Sequence, residues 1–181
     1  MRTWCGRALM VVLMAMAWSL GLFTAPAPAQ KFANYVNQKF KFATQLPSHW
    51  ESYVKDNSLI FHGPKGTEEY HTTINFQIIN RTPQDSLETQ GQDLERQWST
   101  FPDYKLLGRD KGRLAGQPAL RLRAVYQAPQ GGELFQQEQL VVERGPYYYC
   151  IGDTAPQRLF SKYKWALDQV LKTFKFLPEG K

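Results

Sequence analysis

Tyr104 to Gly152 reads YKLLGRDKGRLAGQPALRLRAVYQAPQGGELFQQEQLVVERGPYYYCIG, and its punctuation decides the fold class. Apolar and polar residues tend to alternate between three short turns, Ala115-Gly116-Gln117, Pro129-Gln130-Gly131-Gly132 and Arg144-Gly145-Pro146. Connections this short join antiparallel neighbours, because a parallel return needs a crossover of about a dozen residues. The stretch therefore predicts a four-strand meander: Tyr104 to Arg113, Pro118 to Gln127, Glu133 to Glu143, and Tyr147 to Gly152. Leu120, Leu122 and Ala124 with Val125, and the run Leu140-Val141-Val142, put apolar side chains on both faces, the pattern of a sheet covered on two sides.

Moving towards the N-terminus, Thr82-Pro83 predicts a helix start, with Thr82 as cap and Pro83 at the first helical position. Leu87, Leu94, Trp98 and Phe101 give that helix one apolar side, and Pro102 ends it. Before it, Thr72 to Asn80 is the best strand, Glu51 to Val54 and Ser58 to His62 form a hairpin around Asp56-Asn57, and Phe40 and Phe42 alternate with lysines as a further strand. Gln30 to Asn37 reads as a frayed entry segment. Towards the C-terminus, one helix opens near Pro156 and carries Leu159, Tyr163, Ala166, Val170 and Phe174 at near-fourfold spacing. The order predicts an α+β fold, an antiparallel β-sheet flanked by two main helices as an α/β/α sandwich.

The first 29 residues bear on location. Arg2 and Arg7 precede the uncharged run Ala8 to Phe23, and Ala27 and Ala29 supply a small-residue cleavage site. Sixteen apolar residues fall short of the roughly 20 that span a bilayer core, so a cleaved signal peptide is expected, with cleavage after Ala29 and Ala27 the alternative. Residues 30–181 are then a single domain carrying 20 basic and 16 acidic side chains, net +4. That mild charge argues against a nucleic-acid binder. Cys150 alone survives processing, so no intrachain disulfide is expected; Cys5 precedes the apolar run and is misplaced for lipidation. An exported, periplasmic or extracellular protein without a stable membrane anchor follows.

Several landmarks together resemble the PsbP-like superfamily, which includes the extrinsic PsbP subunit of photosystem II, a yeast Ran-binding import factor and bacterial DcrB-type envelope proteins. They are Phe40-Lys41-Phe42 leading into Leu46-Pro47-Ser48-His49-Trp50, the strand Thr72 to Asn80 followed by a helix, Leu114-Ala115-Gly116-Gln117-Pro118-Ala119 before a strand, the Tyr147-Tyr148-Tyr149 strand, and a closing helix ending Thr173-Phe174-Lys175-Phe176. The resemblance implies a compact α/β/α sandwich that acts by binding other proteins, with no shared catalytic motif. Fold membership alone transfers no function.

The residues themselves offer little chemistry. No serine sits in a G-x-S-x-G elbow, and Cys150 follows three tyrosines in a core strand, where a thiol packs as a small hydrophobe. His62 and His71 flank a loop with Glu68 and Glu69, and His49 lies nearby in sequence, but the spacing matches no metal motif. No catalytic residue, metal or cofactor is therefore assigned. Arg109, Lys111, Arg113, Arg121 and Arg123 recur at alternate positions on two successive strands; if both sets share a face, they form a basic surface for a protein or envelope partner. Reversal of Arg121 and Arg123 is expected to leave the fold intact. The leading expectation is a non-catalytic exported binding protein; the alternatives are a periplasmic small-ligand or metal carrier and a photosystem-type extrinsic accessory protein.

Overall fold

The computed structural model describes residues 30–55, 57–128 and 131–178; the expected leader and its cleavage site lie outside them. In chain order the elements are β1 (Phe32–Asn37), β2 (Phe42–Pro47), β3 (Glu51–Lys55), β4 (Ser58–His62), β5 (Thr73–Asn80), α1 (Leu87–Trp98), β6 (Lys105–Leu114), β7 (Gln117–Gln127), β8 (Leu134–Arg144), β9 (Tyr147–Pro156), α2 (Gln157–Tyr163), α3 (Trp165–Thr173) and β10 (Lys175–Phe176). They make an α+β fold with two antiparallel sheets, one ordered β1-β2-β10 and one ordered β3-β4-β5-β9-β8-β7-β6. The predicted meander is the second half of the larger sheet.

Alternation along the strands separates two cores. Leu140 and Val142 of β8 and Tyr149 and Ile151 of β9 join Phe42 and Leu46 of β2 and Ala166, Leu167 and Val170 of α3. Their neighbours Val141, Tyr148 and Cys150, with Leu120, Leu122 and Ala124 of β7, instead meet Leu94 and Trp98 of α1. Successive side chains leave a strand on opposite sides, so these cores lie on the two faces of the large sheet. Both faces are needed to bury β7 to β9, which explains the apolar runs in the meander.

Four local features differ from the sequence reading. Gln30 to Asn37 is not frayed: β1 runs antiparallel to β2 from Phe32↔Pro47 to Asn37↔Phe42. Helix α1 starts at Leu87, because Ser86 accepts a hydrogen bond from the Thr89 amide and the Thr89 hydroxyl accepts one from the Ser86 amide, a reciprocal cap. Thr82 to Asp85 is a turn closed by the Asp85 carboxylate on the Thr82 amide. The closing helix is two, α2 and α3, divided at Lys164, and its expected end is β10, paired with β2 through Lys175↔Ala43 and Phe176↔Phe42.

Candidate partner-binding surface

The hairpin of β6 and β7 carries all five basic candidates. Its turn is two residues long: Ala115 and Gly116 both adopt left-handed φ, 48° and 81°, and Leu114 pairs with Gln117. That turn matches the twist of the strands and fixes the register. Arg109, Lys111 and Arg113 stand opposite Leu122, Leu120 and Pro118, whereas Arg121 and Arg123 stand opposite Asp110 and Gly108. Residues paired across strands share a face. The two basic sets therefore leave the sheet on opposite faces, and the shared-face expectation is corrected.

Arg109 lies on the face of α1, and its guanidinium bridges Glu88 and Glu95, each at 2.8 Å. It is a strut between helix and sheet. The Arg113 guanidinium donates to the Gly116 carbonyl and braces the turn. Lys111 is exposed and makes no ion pair among the described residues. On the other face, Arg123 crosses to Asp110 at 2.6 Å and lies over Gly108, where an added Cβ would come within 2.6 Å of its Nη2. Gly112, with open space above it, and Ala119 bare the backbone beside Arg121 and Arg123. The result is a cleft of about 330 Å³ bordered by Lys111, Arg113, Arg121 and Arg123, with Asp110 and Leu140 also lining it. Arg121 and Arg123 present their side chains on the face of this cleft, Lys111 and Arg113 border it from the edge strand with side chains on the other face, and Arg109 stands apart.

Beneath this cleft lies an acidic pair. Glu138 of β8 pairs with Arg123 on one side and Asp153 of β9 on the other, and each carboxylic side chain belongs to a residue only 2% exposed. Arg121 Nη1 reaches Glu138 Oε1 at 3.2 Å, and Lys164 Nζ lies 4.0 Å from Glu138 Oε2. Burial, and secondarily the charge of Glu138, push the Asp153 carboxyl up to about 8, so it holds its proton at neutral pH. Arg121 is thus half counter-ion and half surface: its side chain is 42% exposed. Reversing its charge would leave Glu138 facing a second carboxylate, a cost to the fold that the sequence did not disclose.

The other candidates occupy ordinary positions. Cys150 is fully buried, and burial raises its thiol to about 12. His49 pairs with Glu69 at 2.7 Å, His62 with the Gly63 carbonyl at 2.8 Å, and the His71 ring meets Tyr70 edge-on. Among the described residues, no three His, Cys, Asp or Glu side chains gather as metal ligands. Sequence reasoning missed a groove of about 570 Å³ between the two sheets, floored by the stacked rings of Phe42 and Phe76 and edged by Phe40, Tyr147 and Asn80. Its signal was the aromatic content of β1 and β2, whose pairing was not foreseen.

No protein-family model and no curated protein sequence matches the chain. Solved structures do resemble it. The solution structure of cyanobacterial PsbP (CyanoP) from Synechocystis sp. PCC 6803 has a TM-score of 0.63 at 16% identity, covering 87% of this chain and 98% of that one. PA94 of Pseudomonas aeruginosa, described as a putative regulator of unknown function, gives 0.58 at 17%, covering 83% and 99%. LpqN of Mycobacterium tuberculosis, involved in cell envelope biogenesis, gives 0.59 at 13%, covering 83% and 92%. The chain has the PsbP-like fold, and at these identities the likeness is one of fold.

Proposed function

We propose that this chain is an exported, non-catalytic accessory protein of the cell envelope that binds an anionic protein or envelope component at the β6–β7 cleft. The observation that carries the reading is the cleft itself: Arg121 and Arg123 stand side by side on its face and keep 42% and 40% of their side chains exposed while one guanidinium nitrogen of each is held by Glu138 and Asp110. Anchored, partly exposed guanidiniums lose little freedom on binding and are suited to carboxylate or phosphate. The basic, apolar and small-residue leader supports export, and the fold shared with an envelope-biogenesis protein agrees with that compartment.

Arg123→Gln, which removes the charge without adding a carboxylate beside Glu138 and Asp110, tests the reading while leaving Arg121 on Glu138. Capture from native envelope extract, with mass spectrometry, should lose the partner that the wild-type chain retains, and the wild-type affinity should fall with salt more steeply than the variant's. Equal capture by a variant with unchanged melting would exclude the cleft. The groove floored by Phe42 and Phe76 is where the small-ligand reading would place its molecule, since it joins an apolar floor to a polar rim.

A further inference from the structure

The larger sheet has two edges, and they are unlike. Edge strand β6 carries Lys105, Arg109, Lys111 and Arg113 and an irregularity between Leu106 and Gly108, so a second β6 would meet like charge on a bent strand. Edge strand β3 has neither guard. It is bonded on one side only, to β4, all five of its residues are exposed, and Tyr53 and Val54 keep 45% and 74% of their surface in solvent. Its sequence is Glu51-Ser52-Tyr53-Val54-Lys55.

That sequence complements itself. Two copies paired edge to edge about a two-fold axis normal to the sheet run antiparallel and keep their faces, so only residues on the same face can stand opposite one another. The register with all five residues paired sets Tyr53 against Tyr53 of the second copy on the axis, Ser52 against Val54, and Glu51 against Lys55 at both ends. Opposite charges meet twice, on the face where the Tyr53 ring already packs at 5.6 Å from His62, whose ring lies 5.2 Å from Tyr70. Tyr70 is itself 40% exposed, so an aromatic ledge flanks the seam in each copy.

We infer that β3 is a homodimerisation edge, on which a second copy of this chain adds its own β3 to make a continuous antiparallel sheet across the two-fold axis. Main-chain hydrogen bonds supply the attraction, and the Glu51–Lys55 contacts set the register. The proposal is independent of the β6–β7 cleft, which lies at the far edge of the same sheet and would appear twice in the dimer.

Sedimentation velocity of the mature chain across a wide concentration range tests it. The wild type should show a reversible monomer–dimer equilibrium. Lys55→Glu sets carboxylates opposite one another at both ends and should weaken dimerisation about tenfold. Adding Glu51→Lys restores opposite charges in reversed order and should restore the dimer, while Tyr53→Lys, which brings two ammonium groups together on the axis, should abolish it. Circular dichroism confirms that each variant is folded. A wild type that stays monomeric, an assembly larger than a dimer, or a dimer indifferent to Lys55→Glu would overturn the inference.

Discussion

Asp153 shows how much one buried proton can do. In the folded chain its carboxyl titrates at about 8, against an ordinary 3.8, chiefly because burial disfavours the charged form. Between those values the folded state binds the proton and the unfolded state has lost it. Stability from this group is therefore complete below 3.8 and falls as pH rises towards 8, by at most about 1.4 kcal/mol per pH unit. Asp153→Asn, which resembles the protonated acid, should flatten this part of the pH profile and make the chain more stable than wild type above pH 8; urea midpoints at several pH values measure both. A variant retaining the wild-type slope would place the buried proton elsewhere. Asp153 had a faint signature in sequence, as an acid after the apolar run of β9, whereas Glu138 sits among Gln136, Gln137 and Gln139 and had none. Their juxtaposition is a matter of β8–β9 register, which alternation alone does not reveal.

At the scale of elements, the start of α1 separates two readings. Thr82-Pro83 has the composition of a helix start, but Ser86 forms the cap, and the Thr82 amide is taken by Asp85. Ser86→Ala should cost about 1 kcal/mol in thermal or urea unfolding. Thr82→Ala should stay within about 0.5 kcal/mol of wild type; a larger loss there than at Ser86 would restore the earlier start. The meander was legible because left-handed turn residues and alternation mark the same boundaries. The faces of its arginines were not, for a definable reason. Reading Ala115-Gly116-Gln117 as a three-residue turn puts Arg109 opposite Arg123 and Lys111 opposite Arg121, on shared faces. The observed two-residue turn shifts the pairing by one and separates them. Strand β10 was missed because it has only two residues, and β1 because its six residues do not alternate cleanly into a buried face and its partner β2 is known only after the chain has returned on itself.

For the whole molecule, the proposed leader and the fold constrain one another. β1 begins at Phe32 and pairs with Pro47, and the Ser48 amide donates to the Lys31 carbonyl at 3.0 Å, so order in the small sheet reaches back to Lys31. A peptidase cutting beyond β1 would remove a partner of β2 and, with Tyr35, the ring that lies against Phe61 and Phe76. Cleavage after Ala29 removes the basic and apolar leader and spares each of these contacts. Cleavage after Ala27 would spare them as well. The mature chain should therefore begin at Gln30, or at Pro28, and intact-mass analysis of protein purified from the envelope reads this directly. A chain truncated to begin at Tyr35 should unfold at lower urea than one beginning at Gln30, because it loses the Phe32↔Pro47, Ala33↔Leu46 and Asn34↔Gln45 pairings. Envelope protein that still carried Met1 would overturn the cleaved, soluble-periplasmic reading, and equal stability of the two truncations would deny β1 its place in the fold.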